Sequence, residues 1–157
     1  MKSASINEIK QELMARPPKE VLDLCLRLTR YKKENKELLT YLLFEAHDPQ
    51  SYIESAKQEI EENFIDVPVN NTYLGKKSLR KILKSIGKYS KHTATKQAEA
   101  ELLIYFCHCM QKKGLPMHRS VALTNLYNQQ IKKILAAVDG LHEDLKFDYL
   151  KQLDQLE

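Results

Sequence analysis

Apolar residues in this chain recur every three or four positions, and nowhere do they alternate convincingly with polar ones over strand length. That period is the helical one: side chains about 3.6 residues apart return to one face, and a strand would need a period of two. The punctuation agrees with it. Only 4 Gly and 5 Pro interrupt 157 residues, and the dominant Leu, Lys, Glu and Ala are strong helix formers. With 43% apolar and 29% charged residues the chain can bury a core and is too apolar for disorder.

The pattern predicts an all-α fold of seven to eight antiparallel helices, packed as a helical bundle or a short α-solenoid of HEAT or armadillo type. No composition break divides it, so residues 1–157 read as one helical domain. Ser5-Ile6-Asn7-Glu8 is a capping box that opens a short helix, and Pro17-Pro18 stops it. A second helix spans about residues 19–32. After the polar link Lys32-Lys33-Glu34-Asn35 comes a third, with Leu39, Leu42, Leu43 and Ala46 expected on one buried stripe. Asp48-Pro49 starts a fourth helix that carries Tyr52, Ala56, Ile60 and Phe64. Pro68 and two asparagines mark a loop before a fifth helix over about residues 72–89. Gly75 and Gly87 leave the ends of that helix open, each costing about 1 kcal/mol relative to alanine. The sixth, seventh and eighth helices cover about residues 95–113, 119–138 and the C-terminal segment with Leu145, Tyr149, Leu153 and Leu156.

Charge is unevenly spread. Residues 48–66 sum to −5, residues 67–98 to +8, and residues 139–157 to −4, within a net charge of +4. The fifth helix carries most of the positive block. At about 100° per residue, Lys76, Lys77, Arg80, Lys81, Lys84, Lys88 and Lys91 fall within an arc of about 140°, opposite Leu79, Ile82, Leu83 and Ile86. Such a face suits a phosphate backbone or another polyanion. The simpler alternative is a solvated face, or one neutralised by the acidic helix before it. Tyr73 and Tyr89 flank this helix and are the aromatic residues best placed to touch a ligand; Tyr52, Tyr105, Tyr127 and Tyr149 lie on apolar stripes.

Elsewhere the chemistry is sparse. Cys107-His108-Cys109 suggests metal binding until it is placed on a helix, where residues two apart point about 200° from each other. Buried thiols on the stripe of Leu102, Tyr105 and Phe106 are the better reading. His47 and His92 sit where a cation favours helix C-terminal carbonyls. Glu59, Glu61, Glu62, Glu99 and Glu101 lack the histidine spacing of a di-metal bundle, and no serine elbow or glycine-rich phosphate loop is present. Neither a catalytic residue nor a cofactor is expected.

Three cysteines, an odd number, argue against a disulfide framework, and neither a signal-peptide stretch nor a membrane-length apolar run occurs. The expectation is a cytoplasmic protein. The run Glu20-Val21-Leu22-Asp23-Leu24-Cys25-Leu26, then Lys36-Glu37-Leu38-Leu39-Thr40-Tyr41-Leu42, the basic helix and the helix beginning Ala98-Glu99-Ala100-Glu101-Leu102-Leu103-Ile104-Tyr105 resemble, in their order, uncharacterised bacterial all-helical families of unknown function. That resemblance implies a helical fold and carries no site residue. The expected function is a non-enzymatic interaction or scaffold module with a protein partner. The alternative is nucleic-acid binding through the basic helix, residues 76–91.

Overall fold

A computed structural model describes residues 2–156. They form eight α-helices, a π-helical turn and a 3-10 turn, with no β-strand among the described residues: the fold is all-α. None of these helices is long and apolar enough to cross a membrane. Backbone packing groups the chain into two units, the first ending at Glu45 and the second beginning at Ala46.

The first unit holds α1 (Ile6–Met14), α2 (Pro18–Tyr31), α3 (Lys33–Thr40) and the π turn Tyr41–Glu45. The capping box forms as the sequence indicates: the Glu8 carboxylate accepts from the Ser5 backbone N–H at 2.7 Å, and Ser5 Oγ accepts from the Glu8 N–H at 3.3 Å. A single extended residue, Lys32, separates α2 from α3, and Asn35 Nδ2 donates to the Leu28 carbonyl at 2.7 Å across the break. The expected buried stripe does not form. Leu42 is 55% and Leu43 64% exposed, and Tyr41 is the buried residue instead. The regular helices α1, α2 and α3 bury no residue either, so this unit offers the stripe little core to join. From Tyr41 the helix also takes up i→i+5 pairing that shifts the register further.

The second unit contains α4 (Pro49–Ile65), α5 (Thr72–Thr93), α6 (Lys96–Lys112), the 3-10 turn Met117–Arg119, α7 (Val121–Asp139) and α8 (Glu143–Asp154). Each long helix starts on a side-chain cap. Asp48 accepts from Ser51 N–H, Asn71 from Leu74 N–H, Thr95 from Ala98 N–H and Ser120 from Leu123 N–H. The central helix is α6, which packs against α4, α5, α7 and α8. Nine of its 17 residues are buried, so it is apolar nearly all round, as an enclosed helix must be. Leu102, Phe106, Cys107 and Met110 of α6 meet Ile60 of α4, Leu79 and Ile86 of α5, and Leu123, Ile134 and Val138 of α7. Phe64 and Phe106 pack with tilted rings, 5.4 Å between ring centres.

Candidate polyanion-binding face

Helix α5 is laid against this core by Leu79, Ile82 and Ile86, all buried, with Leu83 half-buried beside them. Burying that stripe forces the opposite arc outward. Lys77, Arg80, Lys81, Lys84 and Lys91 are exposed, and Lys76 and Lys88 are half-buried at its edges. All seven cations named from the sequence therefore share one face of one helix.

Neutralisation by the acidic helix is the test of that face. Two carboxylates of α4 are paired elsewhere. Glu54 takes Lys57 at 3.0 Å, and Glu61 takes Lys112 of α6 at 3.2 Å. Lys57 itself reaches across to Glu101 of α6 at 2.7 Å. Lys76, Lys77, Arg80, Lys81, Lys84 and Lys91 form no ion pair with any described residue. Lys81 also lines a groove together with Glu59 and Asp66. The start of the helix adds to the positive field. Its cap is the neutral Asn71 and its first turn carries no acid, so the positive end of the helix dipole stands uncompensated beside Lys76 and Lys77.

Tyr73 completes the surface. It lies one turn before Lys76 and Lys77, at about the middle of the cationic arc, and is 78% exposed. Tyr73, Lys76, Lys77, Arg80, Lys81 and Lys84, all on the outward face of α5, line a shallow, open cleft of about 420 Å³ whose surface is mainly carbon. Tyr89, the other flanking tyrosine, is buried, with its ring against Tyr52 and Lys88 above it at 5.5 Å, so it belongs to the core.

A second cleft, of about 510 Å³, lies between α4, α6 and α8. Glu101 sits in it as the shared acceptor of Lys57 at 2.7 Å and of the Tyr149 hydroxyl at 3.3 Å, while Tyr105 donates to Glu61 at 3.1 Å. Burial, then the neighbouring Cys109 and Glu61, push the Tyr105 hydroxyl up to about 12. Burial works to lower the Lys57 ammonium, but its bonds to Glu101 and Glu54 outweigh this and hold it raised. Each polar group described here has its acceptor or donor within the protein, so the cluster ties three helices together.

The Cys107-His108-Cys109 segment splits as helical geometry requires: both thiols are buried and His108 is exposed. Burial pushes the Cys107 thiol up to about 12 and the Cys109 thiol to about 11. Among the described residues no three His, Cys, Asp or Glu side chains gather where they could hold a metal ion. His92 does lie in the last turn of α5, but it is buried, and its Nδ1 is 2.7 Å from the Tyr52 hydroxyl of α4. Sequence spacing carries no signal for that pairing, since the two residues stand 40 positions apart.

No family model, no curated protein and no solved structure matches this chain. Function is therefore read from the geometry alone.

Proposed function

We infer that this chain is a non-enzymatic interaction module whose working surface is the basic face of α5, and that its partner is a polyanion with a phosphate backbone. One observation carries the reading: six cations on a single helical face lack any ion pair with the described residues, although acidic helices stand in the same unit. Like charges aligned on one helix repel, so this face costs stability that a phosphate chain would restore by releasing its condensed counterions. The three cysteines are free thiols, which suits a reducing compartment such as the cytoplasm.

Charge reversal tests it. The triple variant Lys77→Glu, Arg80→Glu, Lys84→Glu should bind long-chain polyphosphate or an oligonucleotide at least about a hundredfold more weakly than the native chain at about 50 mM salt. Lys132→Glu with Lys133→Glu, exposed cations on α7, is the matched control and should have little effect. Equal affinity of the α5 variant and the native chain would refute the assignment.

A second reading has its own observation. In the first unit Leu22, Leu28, Leu43 and Phe44 are more than half exposed, and Tyr41 alone is buried among its described residues. These helices present apolar surface of the sort that docks another protein chain. Leu22→Glu with Leu28→Glu should then abolish a protein complex while leaving polyanion binding intact.

A further inference from the structure

We propose that the cleft headed by Tyr73 takes an unstacked base, which makes the partner of this face a single-stranded nucleic acid. The proposal rests on the reading that α5 binds phosphate, and it narrows the class of polyanion. The cations alone would accept any phosphate chain. Tyr73 adds a feature that a bare polyphosphate or the interior of a duplex cannot use: an aromatic face open to solvent, with no hydrogen bond or ring contact to any described residue.

The composition of the cleft suits a base better than a phosphate. Its lining is mostly carbon although five of its six residues are cationic, as a ring and long aliphatic stems provide. A nucleobase has apolar faces and a charged backbone beside it, so ring can stack on ring while the phosphates meet the cations. The spacing along α5 agrees. Lys76 and Lys77 are about 5–6 Å from Tyr73 along the axis, Arg80 about 10 Å and Lys91 about 27 Å. A strand stacked at Tyr73 can therefore lay its following phosphates along one straight cationic track. Inside a duplex the π-faces of the bases are occupied by stacking, which leaves only the terminal pairs open to Tyr73. Stacking on one ring tolerates every base, so the expected binding has little sequence preference.

The test uses the full chain with three probes at about 50 mM salt: an oligo(dT) strand of roughly 12 nucleotides, a blunt duplex of the same length, and long-chain polyphosphate as competitor. The native chain should bind the single strand more tightly than the duplex. Tyr73→Ala should weaken the single strand about tenfold or more and leave polyphosphate within about twofold, and Tyr73→Trp should keep or improve the single-strand affinity. If Tyr73→Ala leaves single-strand binding unchanged, or weakens polyphosphate equally, the base cleft is refuted. If Lys77→Glu, Arg80→Glu, Lys84→Glu still abolishes polyphosphate binding in that case, the phosphate reading survives it. Failure of the native chain to bind any of the three probes would overturn both.

Discussion

Gly75 and Gly87 occupy one helix and carry opposite consequences. A Cβ on Gly75 would lie 2.8 Å from the Pro68 carbonyl oxygen, a backbone atom of the loop that crosses the start of α5. Glycine there allows the close approach that sets the first turn, and Tyr73 with it, in place. Around Gly87 nothing lies within 4 Å. Gly75→Ala should therefore lower unfolding stability by about 1–2 kcal/mol despite the better helix propensity of alanine. Gly87→Ala should raise it by about 0.5–1 kcal/mol, both read from urea denaturation. In the sequence the two glycines look alike, because the distance that separates them runs across a loop. Ionisation at this scale gives a second expectation. Cys107, Cys109 and Tyr105 have folded pKa values raised by burial to about 12, 11 and 12, above their ordinary values of 9.0, 9.0 and 10.0. A raised folded value contributes stability that is whole below the ordinary value and is lost as pH rises toward the folded one. The denaturation midpoint should fall steadily from about pH 9 upward. At neutral pH a thiol reagent should modify the half-buried Cys25 well before the two buried cysteines.

At the scale of the element, α5 is built against its own stability. Lys76, Arg80, Lys84 and Lys88 succeed one another at i, i+4 spacing, and each such like-charged pair costs a few tenths of a kcal/mol. Lys84→Glu replaces its repulsions with Arg80, Lys81 and Lys88 by attractions. It should raise the thermal midpoint, by about 0.5–1 kcal/mol of stability, while weakening polyanion binding. Opposite signs in those two measurements are what a face kept for binding gives; a neutral outcome in binding would make the lysines ordinary surface. The face itself was legible in the sequence because a helical period of about 3.6 residues fixes which side chains go outward once Leu79, Ile82 and Ile86 go in. The end of the helix was not. It runs on to Thr93, four residues beyond Tyr89, and closes on Ala94 with φ 53, in the left-handed region where glycine would be expected. The stripe of Leu39, Leu42 and Leu43 misled for another reason: periodicity marks an apolar face but not a core to cover it, and in this unit Tyr41, at the head of a π turn, is alone buried among the described residues.

Across the whole molecule, the distribution of charge follows from which helices the core brings together. With α6 at the centre of the second unit, Lys57 and Lys112 become the partners of Glu101 and Glu61. Glu61 of α4 is thereby paired with α6 and Glu54 with Lys57 of its own helix, while the basic surface of α5 is left outward. Sequence sums alone cannot decide this, because Lys57 and Glu101 stand 44 positions apart and either charge block had other partners to choose from. The central claim is that this outward face binds phosphate, and salt dependence tests it most directly. The affinity for a single-stranded oligonucleotide should be measured between about 50 and 200 mM salt, with and without the charge reversal on α5. With four to six phosphate contacts, the logarithm of affinity should fall against the logarithm of salt with a slope of about −3 to −4, and the reversal should flatten it by about 2. A slope near zero, or one that the reversed helix leaves unchanged, would contradict the account.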